Sequence, residues 1–286
     1  MSQDGTPRST GMAEPSGGPS AGPGLVEVGS PSQPPGSQDI PVRQSPTEGQ
    51  GGRPSRPIVT WVLMAINVIL WLAMLPLGGS SDPDVLIRFG IKVNSLILQG
   101  QYWRFVTPIF LHIGILHLAF NTYALYVFGP QIEHFFGSAR FLAIYLLSGI
   151  SGVLLSFALS PRAAAGASGA IFGLIGTEVV FFYHYRNVFG RRGRQQLYNL
   201  LIVVGYNIVF TFSVPNIDVW GHVGGLLAGS LLGWGVMPRY AVAMSQGGPI
   251  VVDQSRPAKW GPVALGALFL LVLGAGLAVV WQARGG

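Results

Sequence analysis

The sequence predicts an all-α, multi-pass membrane protein with seven transmembrane helices. Charged residues make up 10% of the 286 positions, against about 25% in an ordinary soluble domain. Mean hydropathy is +0.47. Residues 1–57 hold nine of the charges and eleven of the 21 prolines, so the remaining 229 residues carry only 19 charges. A water-soluble globule cannot cover its surface with so few, and a soluble enzyme is excluded.

The elements follow in order. Residues 1–57 are rich in Pro, Gly, Ser and Gln with no apolar period, the composition of a disordered tail. They contain no apolar h-region, so the sequence predicts no cleavable signal peptide here. The first apolar run, 58–77, reaches the about 20 residues that a spanning helix needs and reads as an uncleaved signal anchor. The loop 78–107 is apolar but interrupted, as short interfacial helices would be. Six more spans follow at roughly 108–129, 139–159, 168–185, 197–214, 219–237 and 261–281, the last after a linker that begins at 238.

Orientation follows from the basic residues. With the N-terminus in the cytoplasm, the inner segments hold twelve Lys and Arg and the outer segments five. The dense cluster Arg186, Arg191, Arg192 and Arg194, between spans four and five, weighs most. The net charge of +6 is thus an orientation signal. No basic run is interleaved with base-stacking aromatics, so nucleic acid is not an expected partner. With no cysteine, disulfides, thiolate metal sites and cysteine nucleophiles are ruled out.

Polar groups inside a bilayer are expensive, so those that remain invite a functional hypothesis. They form three groups: His112, His117 and Asn121 in span two; Gly166-Ala167-Ser168-Gly169 at the start of span four; and Gly221-His222-Val223-Gly224-Gly225 at the start of span six. These spans all run from outside to inside, so the groups share one depth near the outer face. Span six repeats glycine every four residues (Gly221, Gly225, Gly229, Gly233), and span four has Gly169, Gly173 and Thr177 at the same interval. Small residues four apart let helix backbones approach closely. If the stripes face each other, Ser168 and His222 come together, and a serine hydroxyl becomes a nucleophile when an adjacent base takes its proton. His117 and Asn121, four apart on one face, offer donors to an oxyanion, as does the Ser168 amide at a helix N-terminus.

At this point the residues resemble a known family, the rhomboid intramembrane serine proteases. The likeness rests on Trp103-Arg104, the His112, His117, Asn121 pattern, Gly129-x3-Glu133-x3-Gly137, Gly166-x-Ser168-Gly169, and His222-x-Gly224-Gly225, in order over 58–237. It implies a six-helix rhomboid-like catalytic core, with 261–281 as an additional C-terminal helix. It implies a dyad of Ser168 as nucleophile and His222 as base. The oxyanion hole would comprise His117, Asn121 and the Ser168 amide, with His112 in support. Implied substrates are membrane proteins cleaved in or near transmembrane segments, in the cell (plasma or inner) membrane with the active site opening to the outer face. No metal or cofactor is implied. Where the family often has a tyrosine one turn after the nucleophile, this chain has Phe172, which keeps a ring to stack on His222 but no hydroxyl.

Blander readings stand beside these. A lone membrane serine usually bonds back to its own helix. Glu133 reads as a buried structural carboxylate, and Arg104 as a residue fixing the outer loop. Asp218 is a possible third member beside His222, and Glu178 has no assigned role. Two other functions stand as alternatives: an inactive rhomboid-like protein that binds and routes membrane clients, and a small transporter. Transporters favour midplane sites on broken helices, whereas the polar groups here lie near one face.

Overall fold

The computed structural model describes residues 56–215, 217–245, 248–254 and 261–283. The 1–57 segment lies outside the described residues apart from its last two positions. The chain forms a helical bundle: α1 (Ile58–Met74), extended by a 3-10 turn at Leu75–Leu77; two short helices, α2 (Pro83–Phe89) and α3 (Asn94–Leu98); α4 (Gly114–Phe136); α5 (Ser138–Leu159); α6 (Ser168–Tyr185); α7 (Gly190–Ser213); α8 (Val219–Gly235); a hairpin of β1 (Tyr240–Ser245) and β2 (Gly248–Asp253); and α9 (Gly261–Ala283). Among the described residues, three stretches suffice to cross a membrane by length and composition alone: Ile58–Leu77, Ser138–Leu159 and Gly190–Ser213.

The connection between α1 and α4 contains the interfacial helices that its interrupted pattern predicts. Asp82 caps α2, its side chain accepting from the amides of Asp84 and Val85, Pro83 opens the first turn, and Gly90 closes the helix in the left-handed region at φ 103°. The second span differs from its expected bounds. Residues 107–110 form a 3-10 turn and Leu111 is extended, so α4 begins only at Gly114, then runs past Pro130 to Phe136. α7 likewise starts early, at Gly190. Arginine is a good helix former, and Arg191, Arg192 and Arg194 add a solvated turn below the apolar part.

α6 is the central helix. Most of its residues are buried, and α8, α5, α7 and α4 all pack against it. Its glycine face meets that of α8: a Cβ on Gly233 would lie 2.7 Å from Thr177, and one on Gly176 would lie 2.6 Å from the Leu226 carbonyl oxygen. Gly225 and Gly229 sit directly against the backbones of Gly169 and Gly173. α5 closes the same seam, because a Cβ on Gly152 would meet the Gly221 carbonyl oxygen at 2.5 Å. Side chains on these faces would hold the helices apart.

Away from Ser168, the other end of the bundle is sealed by rings. Tyr240, on the first strand of a hairpin that lies in the expected linker, packs among Phe135, Phe181 and Phe189. Its hydroxyl donates to the Phe135 carbonyl (3.1 Å), and the Tyr185 hydroxyl donates to the Pro238 carbonyl (2.8 Å). At the Ser168 end, Ile97, Phe105 and Phe157 form a small apolar cluster against Ala275, Ala278 and Val279 of α9.

Candidate active site

Ser168 is the first residue of α6, and His222 lies in the first turn of α8. The helix approach brings them together: His222 Nε2 and Ser168 Oγ are 2.8 Å apart. The ring of Phe172, one turn after the serine, stacks on His222 with centroids 4.2 Å apart and planes 13° from parallel. The other ring nitrogen, Nδ1, is 2.9 Å from the Thr211 hydroxyl of α7. A hydroxyl hydrogen-bonded to an imidazole in this way can pass its proton to the ring.

The segment entering α6 is fastened from outside the helix. The amides of Lys92 and Ala164 exchange hydrogen bonds with each other's carbonyls at 2.9 and 3.1 Å, and the Gly166 amide donates to the Pro108 carbonyl at 2.9 Å. Gly166 has φ 134°, and a Cβ there would lie 2.7 Å from His117 Nε2. Only glycine fits both demands. The Ala167 amide donates to His112 Nε2 (3.4 Å), and the rings of His112 and His117 meet edge to face at 5.3 Å. His117 Nδ1 accepts from the Ile113 amide (3.3 Å), leaving Nε2 facing the Gly166 turn. Asn121 is buried and donates one amide hydrogen to the His117 carbonyl at 2.9 Å; its side chain carries a second. Neither His117 nor Asn121 is hydrogen-bonded to Ser168. Beside the pair, a hollow of about 30 Å³ is lined by Gly152, Gly166, Ser168, Gly169, Asp218 and His222 among others. That volume admits a water molecule.

The remaining predicted residues lie farther out. Arg104 is buried and donates to the Gln101 side chain (2.8 Å) and to the carbonyls of Ile91 (2.7 Å) and Ile87 (2.9 Å), while Trp103 is exposed. Glu133, at the far end of α4, accepts from the Val59 amide (3.0 Å), the Thr60 amide and hydroxyl (2.9 and 2.8 Å) and the Ser138 hydroxyl (2.7 Å). Gly129 lets Thr60 come that close, since a Cβ there would lie 2.6 Å from its methyl. Asp218 caps α8 by accepting from the Gly221 amide at 3.1 Å, and Thr211, not Asp218, bonds the His222 ring. Glu178 accepts from Gln196 of α7 at 3.0 Å.

Two residues were not singled out in the sequence. Lys92 is buried and donates to the carbonyls of Ser156 (3.0 Å), Ser160 (2.6 Å) and Arg162 (2.8 Å) at the end of α5. Burial lowers its amine to about 8, against an upward pull from the Asp218 carboxylate. Its signal was the lone charge between Arg88 and Arg104, in an otherwise apolar and polar-neutral stretch. Thr211 is the other. Its signal was a polar residue near the outer end of span five, at the same expected depth as the three polar groups. Among the described residues, no group of three or more His, Asp or Glu is arranged to hold a metal ion.

Residues 99–239 match the Rhomboid domain family. The chain is 44% identical over 186 residues to the rhomboid protease GluP of Bacillus subtilis, a match covering 65% of this chain and 36% of that protein. It is 35% identical over 180 residues to the putative rhomboid protease YdcA of the same organism, covering 62% of this chain and 86% of that one. It is 30% identical over 197 residues to the rhomboid protease AarA of Providencia stuartii, covering 61% and 70%. With the glycine-packed helices and the motif residues gathered at their ends, these matches show that the chain belongs to the rhomboid family of helical integral membrane proteins.

Proposed function

We propose that the protein is an intramembrane serine endopeptidase whose dyad is Ser168 and His222. The observation that carries this reading is the 2.8 Å contact between Ser168 Oγ and His222 Nε2; the relatives named as rhomboid proteases support it. Ser168 Oγ attacks the scissile carbonyl carbon as its proton passes to His222 Nε2. The oxyanion is met by the Ser168 amide at the α6 N-terminus and by His117 and Asn121, with His112 holding the loop beside them. His222 then gives its proton to the leaving amine. Water entering through the hollow beside Ser168 hydrolyses the acyl-enzyme, His222 again taking and returning the proton.

Substrates in this reading are transmembrane segments with residues that unwind a helix, because an extended backbone must reach Ser168. The excess of basic residues on one side puts the N-terminus in the cytoplasm and the site near the outer face. Residues 58–237 form the catalytic core, with 1–57 as a tail and 238–286 as linker and added helix. The test is labelling of the detergent-solubilised protein by a serine-directed fluorophosphonate, alongside Ser168→Ala and His222→Ala and a cleavage assay on a reporter transmembrane segment. Labelling and cleavage should vanish in both variants. Labelling that survives Ser168→Ala overturns the nucleophile. A wild type that neither labels nor cleaves would instead assign a client-binding role.

A further inference from the structure

We infer that Thr211 is a positioning residue for His222, setting its tautomer and aim from a third helix. This rests on the dyad reading above and extends it. α7 buries little of itself: over 24 residues only Gly193, Leu200 and Thr211 are buried. Its neighbours Phe210 and Phe212 are exposed, at 56% and 70%. Thr211 lies on the face that Leu200 and the half-buried Val204 turn to the bundle, so a hydroxyl stands where an apolar side chain would gain more from burial. The hydroxyl has a specific partner, His222 Nδ1 at 2.9 Å.

The chemistry fixes the direction of that bond. For Nε2 to accept the serine proton, a neutral imidazole must carry its own proton on Nδ1. Thr211 Oγ1 is then the acceptor. A helical threonine can turn its own proton back onto the carbonyl four residues earlier, which leaves its lone pairs for such a task. When His222 takes the serine proton, the same bond becomes charge-assisted and strengthens. Phe172 fixes the ring plane by stacking, but stacking leaves rotation within that plane free. Thr211 supplies the in-plane contact. Asp218, the nearest carboxylate in sequence, is engaged with the Gly221 amide.

The test uses Thr211→Val, which keeps the branched shape and removes the acceptor, with Thr211→Ser as rescue. For purified protein in detergent, kcat and the fluorophosphonate labelling rate should fall about ten- to a hundred-fold in Thr211→Val, the range for a bond to a group that becomes charged. KM for the reporter segment should stay within about twofold, since the bond touches no substrate. Thr211→Ser should recover most of the rate, which a purely packing role for the methyl would not allow. If Thr211→Val does not fold, Thr211→Ala is read against Thr211→Ser in its place. Wild-type labelling in a folded Val or Ala variant overturns the inference, and so does a Ser variant as slow as Val. Neither result touches the dyad, whereas labelling that survives Ser168→Ala sinks the dyad and this inference together.

Discussion

Gly152→Ala puts one methyl group where α5 crosses α8, on the wall of the hollow beside Ser168. The added Cβ would lie 2.5 Å from the Gly221 carbonyl oxygen, where ordinary van der Waals contact begins near 3.4 Å. Backbone is on both sides, so no side chain can swing away, and α8 must move by roughly 1 Å relative to α5. Gly221 precedes His222, so the shift is delivered to the ring. A 2.8 Å bond to Ser168 lengthened by that much leaves hydrogen-bonding range. Misplacement of about 1 Å can slow catalysis on the order of a hundredfold. Overpacking costs about 1–3 kcal/mol of stability, offset in part by about 1 kcal/mol from better helix propensity. The assay is the initial rate of fluorophosphonate labelling per folded molecule, with heat inactivation of labelling as the stability measure. Gly205→Ala is the control, because a Cβ there meets nothing within 4 Å. Wild-type labelling and wild-type heat resistance in Gly152→Ala would refute the argument that this seam sets the dyad distance.

Glu133→Gln should destabilise the protein by roughly 2–4 kcal/mol, since two of the four donors would face an NH2 in place of an acceptor oxygen and the other two a neutral oxygen in place of a charged one. Heat inactivation in detergent checks this, and an unchanged midpoint would contradict it. Lys92→Met should weaken the tie between the α1–α4 connection and the end of α5, and the effect should vary with pH. Folded Lys92 gives up its proton near 8, while an unfolded lysine holds it to about 10.4. Between those values the unfolded chain binds more protons, so wild-type stability gains on that of Lys92→Met as pH rises. Melts from pH 7 to 10 test the sign, and a falling difference would reverse it.

The α6–α8 seam was legible because its cause is local and periodic. One glycine every four residues marks a flat face, and two such faces on neighbouring spans imply the approach that sets Gly233 against Thr177. α2 was legible only as a short interfacial helix, from the interrupted apolar pattern of the loop; its bounds are set by the Asp82 cap, Pro83 and Gly90. The start of α4 was not, because hydropathy does not distinguish a 3-10 turn from a helix, and the turn at Pro108 is held by distant partners such as the Gly166 amide. The hairpin after α8 escaped notice because its anchor is Tyr240 among rings from two other helices. Thr211 shows the limit most clearly. A threonine on an apolar helix bonds its own backbone by default. Only the rotation of α7, set by packing, turns this one toward His222.

The central position of α6 has a consequence for how the protein meets its solvent. Helices that border lipid feel bilayer thickness, lateral pressure and headgroup chemistry directly, and they tilt or shift to match. α6 is wrapped by four neighbours, so the depth of Ser168 is referenced to protein rather than to lipid. α1 and α7, many of whose apolar side chains face outward, are then the helices expected to take up the mismatch. Reconstitution into bilayers of different thickness should therefore alter how readily a segment approaches the bundle, while reaction of Ser168 with a small soluble probe stays nearly constant. The bundle acts as a mechanical filter, keeping a geometry with ångström tolerances in a medium whose dimensions vary by several.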